Sequence, residues 1–192
     1  VLRKSGALRG FYLGGGTGLA FLLKHRESRD LDFFSTKPFN ERLLIERISR
    51  VGKFLLEKRE PGTVRGCFRN TLVSFFYYPY RLLKKPVRRG GIPIASLADI
   101  GCMKLDAISS RGTKRDFVDV YMIACGGGIS VSRLISAFSK KYAPMNYNIM
   151  HVKKSLVYFA DAEDDPMPKM RKRTSWRSVK KFFEAEVKKL RP

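Results

Sequence analysis

The sequence predicts an α+β protein, with a strand-rich N-terminal half followed by a mainly helical C-terminal half. Three observations carry this. Strand-forming residues cluster in short runs before residue 80. Turn residues at Gly14-Gly15-Gly16, Pro61-Gly62 and Asn70 punctuate those runs, and from Ser96 onward apolar residues recur at helical spacing behind capping residues. The division this implies is a core lobe over 1–95 and a helical lobe over 96–192. At 192 residues, 44% of them hydrophobic, the chain is long enough to bury a core and does not read as disordered.

Taken in order, Gly10-Phe11-Tyr12-Leu13 reads as a strand, the three glycines as a tight turn, and 18–27 as a helix. Asp30 to Ser35 alternates charge with apolar bulk, the pattern of a strand with one wet face, so Asp30 and Asp32 point the same way. Asn40 to Val51 carries a helical apolar face and ends before Gly52. Segments 53–59, 63–69 and 71–78 form an antiparallel meander broken by Pro61-Gly62 and Asn70. Pro79 to Pro93, with Arg88-Arg89-Gly90-Gly91, reads as an exposed basic connection. Helices follow over Ser96–Ser110, Arg115–Cys125, Val131–Tyr142 and Ser175–Leu190. His151 to Phe159 is a short apolar segment of either type, and Asp161 to Pro168 an acidic loop. The first residue is valine rather than methionine, which fits a fragment or a trimmed start that leaves a short N-terminal helix outside.

Composition narrows the function classes. No stretch reaches the roughly 18 uninterrupted apolar residues of a membrane span, and Val1-Leu2-Arg3-Lys4 is not followed by a signal-peptide core, so the expected location is the cytoplasm with no membrane partner. Cys67, Cys102 and Cys125 are odd in number and far apart, with only His25 and His151 to join them, which argues against a zinc site or disulfide framework. Lys and Arg number 39 against 17 Asp and Glu, a formal charge of +22. Nucleic acid is the partner such an excess fits best, because neutralising phosphates releases counterions. A basic surface kept for solubility, or an acidic protein partner, is the alternative.

The chemistry centres on Gly15-Gly16-Thr17, twelve intervening residues, and Asp30-Leu31-Asp32. Two carboxylates two apart on a strand can share magnesium ions, which bridge phosphate oxygens and stabilise the charge developed in phosphoryl transfer. A glycine turn feeding a helix N-terminus offers N–H groups and a favourable dipole to a triphosphate. An Asp-x-Asp alone also occurs on solvated strand edges; its distance from the glycine turn is what gives it weight.

The string Phe11-Tyr12-Leu13-Gly14-Gly15-Gly16-Thr17 through His25-Arg26-Glu27-Ser28-Arg29-Asp30-Leu31-Asp32-Phe33-Phe34-Ser35 resembles the signature of the AbiEii/AbiGii toxin-like nucleotidyltransferases, within the DNA polymerase β superfamily. Met103-Lys104-Leu105-x-Ala107-Ile108 and Arg111 to Asp119 are similar to that family's second block, and Leu156 to Glu163 to its C-terminal part. The resemblance implies a polymerase β-type lobe with a mixed sheet, followed by helices. It implies Asp30 and Asp32 as ligands of Mg2+, with Mn2+ as a substitute, and Gly15, Gly16 and Thr17 on the phosphates of an NTP. Lys104 would sit on the triphosphate and Asp116 would be a further essential acid. Read from the residues alone, the alternatives are a Lys104 that snorkels out of an apolar helix, and an Asp116 and Asp119 that simply pair with Lys114, Arg115 or Arg111. Many superfamily members carry a third carboxylate on the next core strand; here Leu72-Val73-Ser74-Phe75-Phe76 has serine there.

Other features stay open between two roles. His25 is a structural residue at the end of the first helix or a proton carrier. Phe75-Phe76-Tyr77-Tyr78-Pro79-Tyr80 packs in the core or stacks a base. Lys169 to Arg173 with Trp176 grips RNA or leads into a solvated helix. The expected function is transfer of a nucleoside monophosphate from an NTP to an acceptor hydroxyl, with RNA, the tRNA 3′ end, as the acceptor the resemblance suggests and a cognate antitoxin as a partner. A protein hydroxyl is the other acceptor. A weak or inactive nucleic-acid- or protein-binding domain on the same fold is the alternative reading, supported by the serine at Ser74.

Overall fold

The computed structural model describes residues 1–190 and divides into two compact units, Val1–Phe21 with Ser28–Ser96 and Leu22–Glu27 with Leu97 onward. No single helix among the described residues is long and apolar enough to cross a membrane.

The first unit is built on one seven-stranded mixed sheet. Its strands are β1 (Tyr12–Leu13), β2 (Leu31–Ser35), β3 (Phe54–Glu60), β4 (Thr63–Phe68), β5 (Thr71–Tyr77), β6 (Val87–Arg89) and β7 (Ile92–Ile94), in the order β3-β4-β5-β2-β1-β7-β6. The expected meander β3-β4-β5 is there, and it joins the sheet through a parallel pairing of β5 with β2. Its turns follow from local chemistry: Gly62 at φ 73°, and Arg69 and Asn70 at φ 48° and 62°, the left-handed pair that a two-residue hairpin turn requires. The stretch read as a connection contains a second such hairpin, β6–β7, turning on Gly90 and Gly91 at φ 55° and 77°.

Because side chains alternate across a sheet, register separates two faces. Leu13, Phe33, Val73, Phe75 and Val64 share one face and are all buried, with Phe33 and Phe75 stacked at 5.2 Å and Phe11 edge-on to Phe75 at 5.1 Å. Helix α2 (Glu41–Ser49), capped by Asn40 accepting from the Leu43 amide, packs on β3 and β4 with Leu44 and Ile48 buried. Tyr12, Phe34, Phe76, Ser74 and Asp32 occupy the opposite face. Helix α1 (Gly15–Leu23) starts directly after β1, and Gly18 lets it approach that strand: a Cβ there would lie 3.3 Å from the Leu13 carbonyl.

The second unit is helical: α3 (Leu97–Ser110), α4 (Lys114–Gly127), α5 (Val131–Lys141), a 3-10 turn (Ala143–Met145), α6 (Ile149–Ser155), α7 (Ala160–Glu163) and α8 (Trp176–Lys189). Gly112 at φ 57° separates α3 from α4, and Gly128 at φ 70° ends α4. Gly101 admits α5 against α3, since a Cβ there would meet Leu134 Cδ2 at 2.6 Å. Phe117 of α4 gathers Phe159, Trp176 and Phe183 at 5.3, 5.8 and 5.4 Å. Trp176 thereby caps an aromatic cluster, and its indole donates to Glu163 at 2.9 Å. The segment read as either type begins inside α6, and the acidic stretch begins inside α7.

Candidate active site

In the first unit the glycine turn and the Asp-x-Asp pair are held together by backbone bonds. The Gly14 amide donates to the Asp32 carbonyl at 2.9 Å, continuing the β1–β2 ladder past its last named pair. The chain then turns through Gly15 at φ 58° into α1, whose first ladder bond runs from the Gly18 amide to the Gly14 carbonyl at 2.9 Å. The amides of Gly15, Gly16 and Thr17 therefore stand ahead of the helical ladder, where a helix attracts anions. Asp32 is the neighbour of this turn: a Cβ on Gly15 would sit 2.8 Å from Asp32 Oδ2. Glycine is required there twice, by the backbone angle and by the carboxylate.

Asp30 stands one residue before β2, with its side chain exposed, whereas Asp32 lies on the strand and is half-buried. The Thr17 hydroxyl donates to the Asp30 carbonyl and lies 2.7 Å from the Ser28 hydroxyl, so this side chain ties the first turn of α1 to the segment that presents Asp30. Thr17 is buried, and its hydroxyl acts as a brace. Ser28 was not singled out by sequence reasoning; a serine in a loop has no pattern that marks it as half of such a brace.

Across the parallel β2–β5 pairing, Asp32 is the register partner of Ser74, and Ser74 is that of Arg65 on β4. The β5 position directly beside Asp32 thus holds a buried serine and no carboxylate. Among the described residues no group of three or more His, Cys, Asp or Glu is placed to hold a metal. Two hard carboxylate oxygen donors nonetheless suit magnesium, which keeps several waters and takes substrate phosphates as its other ligands.

In the second unit Lys104, Asp116 and Asp119 form a buried ionic cluster with His25 and Arg26. Lys104 Nζ reaches Asp116 Oδ1 and Asp119 Oδ2, each at 2.8 Å. Arg26 grips Asp119 with Nε and Nη2 at 2.7 and 2.8 Å, and His25 Nε2 lies 2.9 Å from the same carboxylate. Asp116 also accepts from Thr113 Oγ1 at 2.7 Å and Arg111 Nε at 3.1 Å. Burial alone pushes both carboxyls toward the neutral form, but Lys104 and the hydrogen bonds to Asp116 and Asp119 outweigh it and hold both below the usual carboxylate range. Burial likewise opposes charge on Lys104, and the fields of Asp119 and Asp116 outweigh it to hold the ammonium above its ordinary value.

This cluster decides several open readings. Lys104 is buried and paired, not snorkelling, and Asp116 does pair with Arg111. His25 is fully buried with its Nε2 committed to Asp119, a structural role, and Arg26 pairs with the same carboxylate. The hub is Asp119, which lies 93 and 94 positions from Arg26 and His25 in sequence, too far for any local pattern to reveal.

The comparisons agree with this architecture. The family described as nucleotidyl transferase AbiEii toxin, type IV TA system, matches residues 2–89 and 83–190. An uncharacterized protein of Aquifex aeolicus (strain VF5) is 35% identical over 187 residues, 95% of this chain and 89% of that protein. Among solved structures, a nucleotidyltransferase candidate from H. pylori has TM-score 0.58 at 19% identity, covering 97% of this chain and 88% of that one. The nucleotidyltransferase toxin MenT4 from Mycobacterium tuberculosis H37Rv has TM-score 0.56 at 13% identity, covering 99% and 83%. At these identities the two structures speak to the fold. The class is therefore a nucleotidyltransferase, an enzyme of nucleotidyl transfer. Within that class the chain belongs to the AbiEii nucleotidyltransferase toxin family.

Proposed function

We propose that the protein transfers a nucleoside monophosphate from an NTP to a hydroxyl of RNA, the 3′ end of tRNA, in a magnesium-dependent reaction. The observation that carries this is the closeness of Asp32 Oδ2 to the glycine turn, where a Cβ on Gly15 would lie 2.8 Å from it and only the absence of a side chain leaves room. A triphosphate received by the amides of Gly15, Gly16 and Thr17 then has a carboxylate at its flank. Asp30 and Asp32 are the residues that would hold magnesium, which supplies charge neutralisation on the phosphates and a lowered pKa for the acceptor hydroxyl. Thr17 fixes the segment that presents Asp30.

The family resemblance supports Lys104 as a residue for the triphosphate, and within its own unit the Lys104 ammonium is held by Asp116 and Asp119. Asp116 serves as the acid that keeps Lys104 charged and oriented. The formal charge of +22 supports RNA over a protein as acceptor. The family's toxin–antitoxin setting supports a neutralising antitoxin partner and action in the cytoplasm.

The test is pyrophosphate release and label transfer from each of the four α-labelled NTPs to total tRNA with and without magnesium, comparing the intact chain with Asp32→Asn. Labelled tRNA made only with magnesium, and strongly reduced in the variant, is the expected result. Triphosphate binding without release from any NTP favours the inactive binding domain that Ser74 suggests, and label on protein names the other acceptor.

A further inference from the structure

The aromatic run that sequence analysis left open between core and base stacking divides between the two sheet faces. Phe75 lies in the core with Phe33 and Phe11. Phe34, Phe76, Tyr78 and Tyr80 are half-buried and form one continuous strip on the Asp32 face. Phe34 is its centre, 5.5 Å from Phe76, 5.5 Å from Tyr78 and 6.0 Å from the buried Tyr12 beneath it; Tyr80 follows Tyr78 at 4.7 Å. These are rings at a surface next to a carboxylate, not a closed core.

The order along the strands gives the strip a direction. In the antiparallel β1–β2 pair, Tyr12 stands opposite Phe34 and Leu13 opposite Phe33, and the Gly14 amide bonds to the Asp32 carbonyl. The glycine turn is thus at the start of β2, Asp32 comes next, then Phe34 and Phe76, and then Tyr78, whose amide donates to the Ser35 carbonyl at 2.8 Å. Asp32 separates the turn from the strip. In nucleotidyl transfer the entering oxygen and the leaving pyrophosphate lie on opposite sides of the α-phosphorus. With the pyrophosphate on the glycine turn, the acceptor enters over the strip.

The chain adds matching charge. Residues 61–98 contain seven Lys and Arg, five of them in 81–89 directly after Tyr80, and no Asp or Glu. Rings on a sheet face, followed in the chain by a cationic segment, suit single-stranded nucleic acid, because any base can stack and any backbone is anionic.

We infer that Phe34, Phe76 and Tyr78 form a stacking platform for the unpaired terminal bases of the RNA acceptor. This rests on the transferase reading above. In the reaction the terminal hydroxyl oxygen bonds to the α-phosphorus, the bond from that phosphorus to pyrophosphate breaks, and the hydroxyl proton is released to solvent. The platform positions the strand and takes no part in bond making.

The experiment measures fluorescence anisotropy of the full chain with a 5′-fluorescein RNA hairpin in three forms: blunt, with an unpaired 3′ extension, and with that extension abasic. Neither NTP nor divalent ion is present, so binding is read apart from turnover. The extended hairpin is expected to bind roughly tenfold tighter than the blunt and abasic forms. Phe34→Leu and Tyr78→Leu should erase that preference while leaving blunt-hairpin binding unchanged. Equal affinity for the three RNAs, equal losses on all three in the variants, or no RNA binding at all overturns the platform; the last outcome makes the strip a protein-binding face. Asp32→Asn separates this from the transferase reading: it should keep the preference and lose label transfer. Transfer retained in that variant defeats the reading of the site while leaving the stacking result standing.

Discussion

Ser74 stands directly beside Asp32 across the parallel β2–β5 pairing. Ser74 is buried, so a third acid introduced there would face Asp32 at close range. Ser74→Asp is therefore expected to lower the melting temperature in the absence of divalent ions, since a buried carboxylate beside the half-buried Asp32 is disfavoured both by desolvation and by like charge. Magnesium should restore stability to this variant more than to the natural protein, because an ion that binds only the folded state adds stability with its concentration. Thermal melts across a magnesium series check both arms. Ser74→Ala, which removes only a hydroxyl, should leave transfer activity within a few-fold.

Gly15→Ala meets two penalties. Its left-handed backbone costs a residue with a Cβ about 1 to 2 kcal/mol, and that Cβ would press on Asp32 Oδ2 at 2.8 Å. Urea unfolding should report the first, and the second should appear as a loss of nucleotidyl transfer well beyond the loss of stability. An Ala variant with near-natural turnover would separate the turn from the chemistry.

Thr17→Val keeps the shape of the side chain and removes the donor to the Asp30 carbonyl. The expected stability cost is about 1 kcal/mol, that of one buried hydrogen bond. Because the brace orients a segment rather than binding substrate, kcat should fall with KM for the NTP little changed, and Thr17→Ser should recover most of it. Steady-state kinetics with varied NTP distinguishes this from a direct phosphate contact, which would move KM.

The Lys104, Asp116 and Asp119 cluster sets the pH limits of the helical unit. Asp116 and Asp119 are held below the usual carboxylate range, so they contribute stability that is fully present above about pH 4 and is lost as pH falls through their folded-state values. Lys104 is held above its ordinary value, so its contribution is present below about pH 10 and is lost only as pH rises through its folded value. Asp119→Asn leaves Lys104 and Arg26 buried with one carboxylate fewer and should cost about 3 to 5 kcal/mol. Denaturant titrations from pH 2 to 7 should show a shallower acid limb in that variant than in the natural protein.

Much of this architecture is legible in the residues, and what is not has a physical cause. The glycine turn and the Asp30–Asp32 pair stand out as residue types in a short span, and the structure does bring Gly15 and Asp32 together. Asn40 is the cap of α2, Ser130 of α5 and Ser175 of α8, each accepting from an amide of the first turn. The β6–β7 hairpin is hidden by Pro86 and Pro93, which read as breakers although Gly90-Gly91 is a sound hairpin turn. The parallel pairing of β5 with β2 joins residues some forty positions apart, and Asp119 joins partners still farther away; neither leaves a local trace. The aromatic run resolves only once register assigns alternate rings to opposite faces.

The most direct measurement is transfer of labelled nucleoside monophosphate to total tRNA by the natural protein and by Asp32→Asn, with folding of both verified by circular dichroism. Label on the RNA, release of one pyrophosphate for each nucleotide added, and loss of both in the variant are the expected results. Equal transfer by a folded Asp32→Asn protein would contradict the role of Asp32.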